Sequence, residues 1–165
     1  MKKLSKIIII IVIMCLSHPR VVAAPRPDYY VSWISEKFGK EIYLTQEDFK
    51  LLCHTVHEEA GNQTIEAQRL VAVTILNRVG SDKFPDNLHD VIYQRWKGKS
   101  QFNVIDKPGF PDAYEITNNT ELASYLAIAT YPMEPINMLF FRSGYYFEEY
   151  DSYTNDGDMY FSLGE

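Results

Sequence analysis

The chain is short of cysteine, of positive charge and of long apolar runs, and each shortage excludes something. Its two cysteines are Cys15 and Cys53. Cys15 falls in an N-terminal stretch that is expected to be removed, which leaves Cys53 without a partner and rules out an internal disulfide. A lone Cys53 on an amphipathic helix reads as a small, inward-facing apolar side chain. The longest apolar run is Ile7 to Leu16, well below the roughly 20 residues that a membrane span requires. Lys2, Lys3 and Lys6 precede that run and Val21-Val22-Ala23-Ala24 follows it. This is the order of a secretory signal: basic start, apolar centre, small-residue exit. Residues 1–23 are therefore predicted to be a signal peptide cut after Ala23, since Val21 and Ala23 take the small-residue positions and Pro25 lies beyond the first residue after the cut. An uncleaved N-terminal anchor is the alternative. No small residues precede Cys15, which argues against a lipoprotein signal.

Residues 1–23 hold four of the 16 basic side chains and none of the 22 acidic ones, leaving 12 against 22, a net charge near −10. Nucleic acid needs a basic face, so it is excluded as a partner. Attachment to anionic lipid or wall polymer by bulk charge is excluded as well, and any acidic partner has to be held by shape. After signal removal no stable membrane span is expected, and a single domain of monomeric size remains.

No internal repeat and no long low-complexity segment interrupts the chain. Residues 24–44 read as a lead-in rich in Pro and Tyr, with a short helix over Val31–Phe38. The domain proper is expected at 45–165. Thr45 and Asp48 have the spacing of a capping box. Behind them Phe49, Leu52, Cys53, Val56 and Ala60 form a helical apolar stripe that Gly61-Asn62 ends. A second helix, Ile65 to Val79, is apolar on nearly every face and is expected in the middle of the domain. A shorter helix follows at Leu88–Gln94, then a loop and strand in "SQFNVID", and a helix from Thr120 to Tyr131 stopped by Pro132. "INMLFFRS" and "GDMYFS" read as strands joined by polar loops. The fold class is α+β: a mostly helical single domain with a small β-sheet.

Chemistry concentrates in "HTVHEEAGNQT", residues 54–64. With Phe49 set at 0° and successive residues turned by about 100°, Glu58 falls at about 180°, opposite the core, while Glu59 falls at about −80°, on the shoulder of the apolar stripe. Glu58 is thus predicted to be the solvated charge. Glu59 lies in the last helical turn, where the macrodipole disfavours an anion and partial burial adds to the effect. Both favour a protonated carboxyl, the form a general acid needs near neutral pH. The competing reading pairs Glu59 with Arg69 or Arg78. His54, His57 and His89 raise the question of metal. A helical zinc-protease site, however, uses H-E-x-x-H, whereas the order here is H-x-x-H-E-E, so no metal and no cofactor is expected.

The stretch "HEEAGNQTIEAQRLVAVTILNRVGSDKFPDNLHDVIYQ", followed by "QFNVID", resembles the SleB-like cell wall hydrolase family, whose founding members are spore-cortex lytic enzymes. The family's E-A motif, spaced glutamine, apolar A-V-A helix, "LNRV", "FP", V-I helix and "QF" occur in that order. The later "LFF" and "MYF" match more loosely, and the resemblance spans about residues 47–161. It implies a lysozyme-like fold and places the family's catalytic glutamate on Glu59. It also points to Asn77, Gln101 and Phe102 as substrate-binding positions, although Asn77 could equally cap a turn and Phe102 could be core. The family commonly reads G-E-A-R-G-E, so Gln63 stands where a second acid is usual. No separate wall-binding domain is visible.

The activity implied is that of a secreted enzyme, extracellular or in the cell wall. It would act on peptidoglycan as a lytic transglycosylase, cutting between N-acetylmuramic acid and N-acetylglucosamine with one glutamate as acid and then base. A muramidase-type hydrolase needs a second carboxylate, for which Asp106 and Glu66 are the motif-associated candidates. A non-catalytic wall-binding protein and a metal-dependent amidase or peptidase are the remaining alternatives. Nine of the 23 aromatics lie between Phe140 and Phe161. They are core or, for Tyr145, Tyr146 and above all Tyr160, a lining for a sugar groove.

Overall fold

The computed structural model describes residues 31–35, 40–112, 115–135 and 137–164; the signal segment lies outside them. It opens with a hairpin of β1 (Val31–Ser35) and β2 (Lys40–Leu44), paired antiparallel with Ser35 opposite Lys40. The helix expected over Val31–Phe38 is therefore a strand. Val31 and Ile34 are β-branched, and along β2 buried Ile42 and Leu44 flank exposed Tyr43 with the period of two that a half-buried strand shows. Ile42 and Leu44 also join the main core, so the end of the lead-in packs with the domain that follows.

Helix α1 (Gln46–Ala60) starts at the predicted box: the Thr45 hydroxyl accepts from the Asp48 amide at 3.0 Å and the Asp48 carboxylate accepts from the Thr45 amide at 2.9 Å. Every residue of the predicted stripe is buried, and Thr55 with them. Gly61 donates its amide to the His57 carbonyl at 2.7 Å. It sits at φ −62° rather than in a left-handed cap, and glycine is required for a different reason: a Cβ would stand 2.4 Å from that carbonyl.

Helix α2 (Ile65–Gly80) is capped by Thr64 and is buried without a break from Leu70 to Gly80. It packs against α1, α4 and β5, the central position its all-round apolar character predicts. Helix α3 is limited to Leu88–Ile92, and α4 runs Asn118–Thr130. Thr117, not Thr120, lies at its start and caps it. A tight hairpin of β3 (Arg95–Trp96) and β4 (Lys99–Ser100) precedes the segment expected to be a strand. That segment is instead a 3-10 turn at Asn103–Asp106. Buried Phe102 and Val104 flanking exposed Asn103 imitate strand alternation, but the backbone closes on itself through Ile105 to Phe102 and Lys107 to Val104.

The C-terminal sheet has the order β5-β7-β6 with all pairs antiparallel: β5 (Met138–Ser143), β7 (Met159–Leu163) and β6 (Asp151–Asp156). β5 and β7 were expected. β6, "DSYTND", carries no apolar alternation and lies where polar loop was expected; it is an edge strand defined by its pairing to β7. The architecture is α+β, mostly helical, with the core gathered around α2. Among the described residues no helix is long and apolar enough to cross a membrane.

Candidate active site

The last turn of α1 carries Glu59 into contact with the 3-10 turn. The carboxylate accepts from the Val104 amide, and its Oε1 is buried with no hydrogen-bond partner among the described residues. Burial pushes its pKa above the ordinary carboxylate value; Lys107, Arg78 and the Val104 amide pull the other way without overcoming it, and Glu58 adds a small upward push. The shoulder position on the helical wheel thus gives a carboxyl largely removed from water.

The wheel misplaces Glu58. Its side chain is only 9% exposed, and it accepts from the Lys107 ammonium at 2.6 Å. The residue after the 3-10 turn folds back over α1 and covers the face that an isolated helix would leave to solvent. Glu58 is therefore a tether that holds a cation beside Glu59. A depression of about 460 Å³ opens next to it, bordered by His57, Glu58, Gly61 and Asn62.

Arg78 packs against Phe102, beside the same segment. Its guanidinium is fully buried, and burial pulls its pKa down to about 10 while Glu59 and Tyr150 support the charge. Nε donates to the Leu139 carbonyl at 2.9 Å, and Phe102, Phe84 and Phe140 stand 5.0, 5.2 and 5.8 Å from the guanidinium carbon. Nη1 has no partner among the described residues. Arg78 faces Glu59 without forming an ion pair with it, and Arg69 is taken by Glu66 and Glu134. Above Arg78 lies a cleft of about 300 Å³ walled by Phe84, Trp96, Phe140 and Tyr150, with Gln94, Gln101 and Lys83 completing its lining.

The other predicted positions separate. Gln101 borders this cleft. Phe102 is 1% exposed and packs on Arg78 and Phe141, so it supports the site from beneath and presents no face to a sugar. Asn77 is equally buried and gives both amide hydrogens to the Pro135 and Met138 carbonyls at 2.9 Å, which leaves no donor for a ligand; it straps β5 to α2. Tyr160 is half-buried on β7 and packs edge-on against Tyr146. Asp106 is bound by Arg95 and Ser100 and stays exposed, which holds its carboxyl below the ordinary range. Glu66 is likewise lowered by Arg69.

Of the histidines, His57 belongs to a polar tie between helices, while His89 is exposed and pairs with Asp90. His57 Nδ1 stands 3.3 Å from the Thr120 hydroxyl, which donates to Gln68 Oε1 at 2.7 Å; Gln68 Nε2 in turn donates to the Gln63 carbonyl at 3.0 Å. The spaced glutamine of the motif is thus buried and locks α1, α2 and α4 together. His54 is pushed toward its neutral form, first by burial. Among the described residues no three His, Cys, Asp or Glu side chains are grouped as metal ligands. Cys53 is buried, which pushes its thiol up to about 11. Sequence reasoning missed Lys107 and the cleft aromatics Phe84 and Tyr150, and treated Arg78 only as an ion-pair partner. A charged residue inside "ILNRVG", buried on all sides, was the available signal.

The profile of a family described as cell wall hydrolase matches residues 62–159, so Glu59 stands just before the matched stretch. A spore cortex-lytic enzyme of Oceanobacillus iheyensis is 40% identical over 50 residues, which is 30% of this chain and 18% of that protein. The matched region is thus less than a fifth of the relative's length. Among solved structures, the catalytic domain of the germination-specific lytic transglycosylase SleB from Bacillus anthracis is 21% identical with a TM-score of 0.56, over 72% of this chain and 95% of that one. The catalytic domain of the Bacillus cereus SleB protein is 20% identical with a TM-score of 0.57, over 72% and 91%. At these identities the likeness establishes the fold.

Proposed function

We propose, from the premise that the chain belongs to the cell wall hydrolase family, that it is a secreted, monomeric enzyme cutting peptidoglycan glycan strands as a lytic transglycosylase. The observation that carries this reading is Glu59: a half-buried carboxyl at a helix end, with an Oε1 closed off and without a partner among the described residues and a pKa displaced upward by desolvation. Such a group holds a proton at pH values where ordinary carboxylates have lost it. The names of the solved relatives, a lytic transglycosylase among them, support the same substrate class.

In the proposed reaction Glu59 gives its proton to the oxygen between N-acetylmuramic acid and N-acetylglucosamine as the bond to the anomeric carbon breaks. The carboxylate so formed then takes the proton of the muramic 6-hydroxyl while that oxygen closes on the same carbon. The product is a 1,6-anhydro sugar, and Glu59 ends protonated. Lys107 and Arg78 stabilise the transient anion, which burial alone disfavours. A hydrolase instead needs a second carboxylate about 5 to 9.5 Å away to attack or to hold water. Asp106 and Glu66 are each engaged by an arginine, which favours the single-acid route.

Mass spectrometry of fragments released from purified peptidoglycan tests the proposal. Muramic ends lighter by one water than the hydrolytic product are expected. Free reducing ends would replace this reading with the hydrolase.

A further inference from the structure

The β3–β4 hairpin, "RWKGKS", concentrates positive charge in a chain that is otherwise acidic. Its turn is Lys97-Gly98, with φ of 51° at Lys97 and 78° at Gly98. Positive φ at both central residues is the turn that matches strand twist, and Asn or Gly is the usual first residue. Lysine there accepts left-handed backbone strain that the fold does not require, since Asn-Gly closes the same turn without it. The side chain this places at the tip is an ammonium whose Nζ lies 5.9 Å from the Trp96 ring. Trp96 itself is 64% exposed and borders the cleft above Arg78. Lys99 is exposed on the paired strand, and Lys83 lines the same cleft. Arg95 is matched by Asp106; Lys97 and Lys99 have no carboxylate partner among the described residues.

We propose that this hairpin is a substrate subsite for carboxylate-bearing glycan: Trp96 stacks on a saccharide ring while Lys97 and Lys99 meet the carboxylates that ring carries on its lactyl or peptide substituent. The inference rests on the glycan-cutting reading above and adds to it a preference for strands whose acidic groups are intact. Flat aromatic faces with a polar edge suit sugar rings, and two exposed ammonium groups beside one such face suit an acidic substituent. A phosphate polymer offers the charge without a ring for Trp96 to cover, and is the outcome to be set against this one.

The test is binding of purified glycan strands to the full-length Glu59→Gln protein, which removes turnover. The strands are offered either native or with their carboxylates converted to neutral amides. Native strands are expected to bind about fivefold more tightly than amidated ones, the size of two exposed ion pairs. Lys97→Gln/Lys99→Gln, with Gly98 kept and the fold checked by circular dichroism, is expected to bind both alike. Trp96→Ala is expected to weaken both by about tenfold, the size of an aromatic contact. Equal binding of the two strands by the parent protein overturns the proposal, as does a preference that survives loss of both lysines. Tighter binding of poly(glycerol phosphate) than of native strands overturns it too. Fragment release by the wild-type protein is followed in parallel. If release occurs without the binding preference, the subsite fails alone; if the preference holds without release, the catalytic reading fails and the subsite stands as a binding site.

Discussion

Glu59 meets the 3-10 turn that Asp106 ends, and the two carboxyls have pKa values displaced in opposite directions. Glu59 lies in the last turn of α1, is half-buried, and takes one amide hydrogen bond from Val104 while its buried Oε1 has no partner among the described residues. Asp106 ends the 3-10 turn two residues later, is open to solvent and is bound by Arg95 and Ser100. Burial raises the first carboxyl and donors lower the second. Residue type does not separate an acid catalyst from a structural anion here. Access to water and the supply of donors do.

The comparison breaks most visibly at Glu59. Glu59→Gln is expected to lower fragment release by at least about a hundredfold, the low end of what a general acid supplies, with the fold retained. Stability carries a second signature. Because Glu59 titrates above its ordinary value in the folded state, the folded protein binds more protons than the unfolded one across that interval. Stability therefore falls as pH rises from the ordinary carboxylate value through Glu59's raised one. Glu59→Gln removes that loss, so the variant's Tm is expected to exceed the wild type's above this window and to approach it below. A thermal melt series at pH 4 and pH 8 reads the difference.

Asn77→Ala probes the reverse case, a motif residue that serves the fold. Leaving the Pro135 and Met138 carbonyls without donors is expected to cost about 2–3 kcal/mol, seen in urea unfolding, while KM of the remaining folded enzyme is unchanged. A raised KM with unchanged stability would return Asn77 to the sugar.

Lys107→Met sharpens the contrast by removing a cation that holds Glu59 down against burial. The charged groups facing Glu59 are Lys107, Arg78 and Glu58. With Lys107 gone, Glu59 keeps its proton to higher pH, and the alkaline limb of kcat/KM is expected to move upward; Lys107→Arg restores it. An unmoved limb would mean that Lys107 only tethers the loop. Asp106→Asn is the smallest change. It is expected to keep most activity and to leave the product anhydro, whereas an inactive protein would make Asp106 the second carboxylate.

Much of this was legible in the sequence because it is local. The Thr45 capping box, the α1 stripe and the burial of α2 follow from spacing along one helix, and so does the shoulder position of Glu59. Most of what differs involves partners far along the chain. Glu58 looked solvated because a helical wheel has no Lys107 in it, 49 residues on. "NVID" alternates like a strand, but its backbone bonds close within the turn. "DSYTND" has no apolar face, so its place as an edge strand came from pairing with β7. Asn77 looked like a ligand-binding amide until two carbonyls beside β5 claimed its hydrogens.

The amino-acid order alone determined helices α1, α2 and α4, the apolar centre and the shoulder position of Glu59 beside the α1 stripe, because 3.6-residue periodicity sorts side chains by face before any partner arrives. Tertiary packing decided the rest. It closed the 3-10 turn over Glu59, slid Arg78 beneath Phe84, Phe102 and Phe140, and set Lys107 against Glu58. Charge state depends on what removes water and what donates hydrogen bonds, and those neighbours come from segments that meet only when the chain has folded.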